Sequence, residues 1–132
     1  MFEASRICEG LRFEMTVEPE ELVMDADPDL LFQVLINLLR NGAEAACKHS
    51  DSPQVTLGFA RASDGLVSIE VADNGPGVAE SLRQDVFLPF FTTKQEGTGI
   101  GLSLARQIVL AHHGSIALEN GASGGATFRL FI

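Results

Sequence analysis

LVSIEVADNGPG, residues 66–77, is the stretch from which the fold is read. Val67, Ile69 and Val71 alternate with Ser68 and Glu70, the period-two pattern of a strand with one buried face. The run closes on an acid, Asp73, and turns through Asn-Gly-Pro-Gly, residue types that favour turns over ladders. Just upstream, Gln54–Ala60 offers an antiparallel partner for Leu66–Ala72, with Ser63-Asp64-Gly65 as the hairpin turn. Further back, Asp27-Pro28 supplies an N-cap acid and a proline at the first helical position, which predicts a helix running to about Lys48.

Ahead of that helix, two short strands are expected at Leu11–Val17 and Leu22–Asp25, on either side of a Glu-Pro-Glu-Glu turn. Downstream, residues 74–98 are rich in glycine and proline, with at most one short helix near Ala79–Arg83. So long a loop in a compact domain reads as a lid, a binding loop or disorder. A second long helix starts near Gly99 and ends at His113-Gly114, and strands at about Ser115–Glu119 and Ala126–Phe131 close the chain. This is an α/β pattern: a two-layer sandwich in which helices cover one face of a mixed sheet. Residues 1–10 read as the end of a linker or helix from an upstream domain, and residues 11–132 as one domain.

A chain of 132 residues, 45% hydrophobic and 20% charged, suits a single globular core. Its formal net charge of −9 disfavours a nucleic-acid surface, which needs basic patches. A nucleotide remains compatible, provided local donors and a metal offset its phosphates. Cys8 and Cys47 have no metal-ligand spacing and read as thiols of a cytoplasmic protein. The most apolar run, LLFQVLINLL, is broken by Gln33 and Asn37 and is too short to span a bilayer. The N-terminus lacks the apolar core of a signal peptide, so no membrane contact is expected and the compartment is read as cytoplasmic.

Three patterns carry chemistry. On the first helix, at about 100° per residue, Gln33, Asn37, Arg40, Asn41, Glu44 and Lys48 share one narrow arc. Such an arc is ordinarily a solvated face. Two asparagines one turn apart, poor helix formers, otherwise point into a polar site, where amide oxygens join a Mg²⁺ shell completed by phosphate and water. Asp73 is either turn chemistry or a carboxylate in a partly dry pocket that needs a donor. The 6-amino group of adenine is such a donor, whereas guanine places a carbonyl there. GTGIGL, residues 97–102, opens the second helix with glycines that allow close backbone approach and with free N–H groups suited to phosphate. No strand leads into it, so a Rossmann turn is disfavoured. GxxxxGK[ST], HRD and DFG are all missing, which excludes P-loop enzymes and eukaryotic-type protein kinases. In FLPFFTTK, residues 87–94, the phenylalanines are either a core plug or the seat of a lid whose Lys94 reaches phosphate. His112-His113 reads as a helix end.

Taken in order, NLLRNGAEA, DNGPG, FLPFFTTK and GTGIGLSLAR resemble the four boxes of histidine kinase catalytic domains, within a superfamily that includes DNA gyrase and heat-shock chaperones. The resemblance spans about Asp27 to Ile132, and its TTK variant is similar to nitrogen-regulatory sensor kinases. It implies a Bergerat-type sandwich with a mobile ATP lid and the cofactors ATP and Mg²⁺. By the same resemblance Asn41 coordinates Mg²⁺ with help from Asn37. Asp73 holds the adenine amino group, sharing a water with Thr127, while Gly75 and Gly77 shape the pocket floor and lid hinge. Gly97, Thr98, Gly99, Gly101 and Leu102 enclose the triphosphate, with Lys94 nearby.

Two departures matter. Glu44 stands where the family often has a basic residue, so a phosphate role there is in doubt, and Lys48 is the substitute one turn on. Hydrolytic relatives carry a glutamate general base one helical turn before the metal-binding asparagine, and here that position is Asn37, which cannot accept a proton. The resemblance therefore implies a histidine kinase catalytic domain that holds the γ-phosphoryl group for a histidine elsewhere. His49, His112 and His113 lack the H-E or H-D context of an acceptor. The implied partners are a histidine-bearing dimerisation domain and a response regulator, with the chain itself a monomer. The competing readings are a serine kinase of the anti-sigma-factor type and a degenerate nucleotide-binding module used for docking.

Overall fold

The computed structural model describes residues 9–18, 22, 24–88, 101–121 and 124–132. Among these residues two helices, α1 (Pro28–His49) and α2 (Gly101–Ala111), lie with five strands: β1 (Arg12–Glu18), β2 (Gln54–Arg61), β3 (Val67–Asp73), β4 (Ser115–Asn120) and β5 (Ala126–Phe131). The strand order is β1-β2-β3-β5-β4. Only β1 and β2 are parallel; the other neighbours run antiparallel. The expected mixed, mostly antiparallel sheet is therefore present.

Local chemistry sets the helix ends. Asp27 Oδ1 accepts from the N–H groups of Asp29 (3.0 Å) and Leu30 (3.1 Å), and Pro28 stands at the first turn. Lys48 and His49 occupy the last turn of α1, where cations suit the helix dipole. After α2 the chain turns through His113 at φ 61. The His113 N–H donates to Leu110 O (3.0 Å) and the Gly114 N–H to Val109 O (3.0 Å), the paired bonds of a Schellman ending. His112 is more than a helix end. Its Nδ1–H donates to Ile108 O (2.8 Å), and its Nε2 accepts from the Asp27 N–H (3.0 Å), tying the end of α2 to the cap of α1.

Strand alternation builds the core. Val55 and Leu57 of β2, Val67, Ile69 and Val71 of β3, and Phe128 and Leu130 of β5 are buried, together with Val34, Leu38 and Leu39 of α1 and Ile108 and Val109 of α2. Apart from Phe131, the residues of β3, β4 and β5 on the other face are polar or small. There Arg129 bonds Glu70 through Nε (2.8 Å) and Nη2 (2.7 Å) and Glu119 through Nη1 (3.3 Å), exposed pairs of small energetic weight.

Two expectations are corrected. Leu22, Met24 and Asp25 are not strand residues. β1 takes β2 as its ladder partner, reached through the α1 crossover, and Leu22 and Met24 pack on the core from an irregular connection. Cys47, read as a thiol, is disulfide-bonded, and Cys8 lies outside the described residues. Between β3 and α2 the helical content among the described residues is two 3₁₀ turns, Glu80–Leu82 and Asp85–Phe87, the second of which buries Val86 and Phe87 against the core. The Phe87 ring meets Phe128 edge-on at 6.0 Å, so this phenylalanine of the 87–94 cluster is a core plug.

Candidate functional site

Asp73 is the last residue of β3, and it follows Val67, Ile69 and Val71 onto the helix side of the sheet. Its Oδ1 accepts from the Gly75 N–H (2.8 Å) and from the Ala126 N–H (3.4 Å). Its Oδ2 accepts from none of the described residues. One oxygen thus fixes the carboxylate while the other is left open among the described residues. Burial pushes the Asp73 carboxyl above its ordinary value, and the Gly75 and Ala126 N–H groups pull it part of the way back.

Glycines let the backbone close around this group. A Cβ at Gly75 would stand 2.9 Å from Ala45 of α1 and 2.9 Å from Asp73 Oδ1. One at Gly125 would overlap the Asp73 carbonyl oxygen and lie 2.9 Å from Asn74 Cα. Beside Oδ2 the nearest such point, at Gly42, is 3.5 Å away, an ordinary contact distance. The neighbouring Asn74 is structural. Its Oδ1 accepts from the Gln54 N–H (2.9 Å) and its Nδ2 donates to Ser52 O (2.8 Å), pinning the turn to the α1–β2 connection.

The polar arc of α1 lies alongside. Asn37 and Asn41 are half-buried, whereas Gln33, Arg40 and Lys48 on the same arc are exposed. Asn37 Oδ1 is 3.2 Å from the point where a Gly101 Cβ would stand, so its carboxamide abuts Gly101 of α2. Asn41 precedes Gly42, which is packed on Asp73. Asp73, Gly75, Asn37, Asn41 and Gly101 are therefore gathered between α1, the end of β3 and the start of α2. Leu102 packs against the core. Lys94, Gly97, Thr98 and Gly99 lie outside the described residues.

The structure does not bring Thr127 to Asp73. It stands opposite Ala72 in the register and alternates with buried Ala126 and Phe128, which places it on the Glu70–Arg129 face. The Asp73 partner from β5 is the backbone N–H of Ala126. Reading from residue types missed Ala126 and also Asn120, whose Oδ1 accepts from the Val78 N–H (3.0 Å). The Gly124-Gly125 pair ahead of β5 was the available signal, because adjacent glycines at a strand start mark close backbone approach.

No group of three His, Cys, Asp or Glu side chains among the described residues could hold a metal ion. The donors at hand are the neutral amides of Asn37 and Asn41, which suit Mg²⁺ only when phosphate oxygens complete its shell. No helix among the described residues is long and apolar enough to cross a membrane.

Residues 26–132 match the model of the histidine kinase-, DNA gyrase B- and HSP90-like ATPase family. The sensor protein FixL of Bradyrhizobium diazoefficiens is 37% identical over 124 residues, which is 94% of this chain and 24% of FixL. The nucleotide-free catalytic domain of the histidine kinase ThkA superposes with a TM-score of 0.84 at 32% identity, covering 97% of this chain and 80% of that one. ThkA in complex with the response regulator TrrA gives 0.79 at 30% identity, over 97% of this chain and 35% of that one. Full-length ShkA in complex with AMPPNP gives 0.80 at 27% identity, over 97% and 26%. The chain thus spans about a quarter of the curated relative's length, but nearly all of it aligns with a solved catalytic domain. It belongs to the histidine kinase-, DNA gyrase B- and HSP90-like ATPase family, with sensor histidine kinases among its relatives.

Proposed function

We propose that this chain is the ATP-binding catalytic domain of a two-component sensor histidine kinase. The observation that carries the reading is the state of Asp73: Oδ1 bound by two backbone N–H groups, Oδ2 bound by none of the described residues, and glycines closing the space around it. An oriented acceptor in a partly dry pocket selects a ligand with a matching donor, which is the amino group of adenine. Asn41 and Asn37 would hold Mg²⁺ together with the nucleotide phosphates, and the bound metal would offset phosphate charge. Gly101 is the first described residue of α2, and by the family resemblance the N–H groups at the start of this helix donate to phosphate. Lys94, Gly97, Thr98 and Gly99 take their phosphate role from the family resemblance alone.

Phosphoryl transfer asks mainly for positioning and charge stabilisation. Asn37 cannot serve as a general base toward water, so the γ-phosphoryl group is kept for another acceptor. That acceptor is a histidine on a separate dimerisation domain, with a response regulator as the next carrier; ThkA, solved with TrrA, supports that partner class. The chain is proposed to act in the cytoplasm and to be monomeric by itself.

The test mixes the purified chain, Mg²⁺ and ATP with the helical histidine domain of its parent kinase. An alkali-stable, acid-labile phosphohistidine should form on that partner, and Asn41→Ala should severely reduce it. The chain alone should neither label itself nor turn over ATP briskly. An acid-stable serine product on another protein would replace this reading with the anti-sigma type.

A further inference from the structure

We infer that Asn120 is a positioning residue for nucleotide-base recognition, because the rung that pairs it with Ala126 holds both the Asp73 carboxylate and the Gly77–Val78 turn. The inference rests on the reading of Asp73 as the base acceptor.

Asn120 ends β4, directly opposite Ala126 in the β4–β5 register. It follows Ile116 and Leu118 onto the helix side of the sheet, where this alternation would otherwise place an apolar side chain. Its Oδ1 instead accepts the Val78 N–H at 3.0 Å. Across the rung, the Ala126 N–H donates to Asp73 Oδ1. Asp73 and the Gly77–Val78 turn are thus both tied to one short hairpin. That hairpin has its own internal bonds, from the Gly121 N–H to Gly125 O (2.7 Å) and from the Gly124 N–H to Gly121 O (3.1 Å).

The fit between turn and hairpin leaves no slack. Gly77 is in the left-handed region at φ 77, and a Cβ on it would stand 2.8 Å from Asn120 Oδ1 and 2.9 Å from Gly124 O. Asn120 is exposed and contributes little apolar burial, so its contribution is orientation. By holding Val78, it sets the angle at which the chain leaves the Asp73–Gly75 corner. Without that tether Asp73 keeps both of its own bonds while the Gly77–Val78 turn moves.

The test compares Asn120→Ala and Asn120→Asp with the unaltered chain by amide hydrogen exchange and by calorimetry with ADP in enough salt to screen the added charge. In Asn120→Ala, the Val78 amide should exchange faster while core amides of β3 and β5 stay protected. ADP affinity should fall about 3- to 10-fold, the size of one net hydrogen bond. Asn120→Asp keeps the acceptor oxygen and should restore both quantities to near the unaltered values. An unchanged ADP affinity in Asn120→Ala overturns the inference. So does unchanged protection of Val78, or an equal loss in both variants, which would mark a general structural effect. If the unaltered chain binds neither ADP nor ATP, the reading of Asp73 fails along with it.

Discussion

Asp73→Asn separates recognition from stability. The substitution keeps the shape, and the two backbone donors dictate how the amide sits. If Nδ2 faced the N–H groups of Gly75 and Ala126, both would lose their acceptor, so the amide oxygen must take the Oδ1 position. Nδ2 then occupies the place of Oδ2 and, on the proposed reading, would meet the adenine amino group donor to donor. The loss is one bond to a charged acceptor, about 2–3 kcal/mol, or roughly 30- to 150-fold in ADP affinity. Stability should move the other way. The folded-state value of Asp73 lies above the ordinary 3.8, so the native chain holds this proton more tightly than the unfolded chain does. Stability therefore falls as pH rises from about that ordinary value through the elevated one, and it stays lower above that window. The asparagine has no such dependence. Thermal melts from about pH 3.5 to about 7.5 should show the variant losing this part of the pH slope, with a neutral-pH midpoint no lower than that of the parent. Calorimetry showing less than about a threefold loss of ADP affinity would refute the donor–acceptor argument. A neutral-pH midpoint several degrees below the parent would refute the sign of the burial argument.

The glycine walls make a sharper contrast than their sequence suggests. Gly125→Ala drives a methyl into the Asp73 carbonyl and should cost about 1–3 kcal/mol in a denaturant titration. Gly42→Ala, whose nearest neighbours are 3.4–3.6 Å away, should lose much less; equal losses would show that the close approach at Gly125 is unimportant. At the end of α2, His113→Gly relieves a left-handed backbone at φ 61 and should gain about 1 kcal/mol, raising the melting midpoint by roughly 3–5 °C. A midpoint that stays put or falls would mean the His113 side chain contributes more than the strain it carries.

What was legible in the sequence follows from how far each signal reaches along the chain. The Asp27-Pro28 cap, the alternation at Val67, Ile69 and Val71, and the glycine punctuation around Asp73 are local, and each matches the element it predicted. Thr127 shows where local reading ends. Alternation along β5 can be read from residues 126–131, but which face meets Asp73 depends on the pairing of Thr127 with Ala72. A one-residue slip in that register exchanges the roles of Thr127 and Ala126. A hydroxyl also looks like a ligand-binding group, whereas a backbone N–H on an alanine has no signature in residue type. Leu22, Met24 and Asp25 are a related case, since their composition suits a strand but Leu22 and Met24 serve the core from an irregular connection. His112 belongs with these cases, because its partner at Asp27 is 85 positions away and no helix-end rule reaches it. The parts of the site that long-range pairing assembles (the Ala126 donor, the Asn120 acceptor and the contact of Asn37 with Gly101) are thus the parts that set its geometry. The motifs mark where the chemistry is, and the register of β3, β5 and β4 decides which atoms face it.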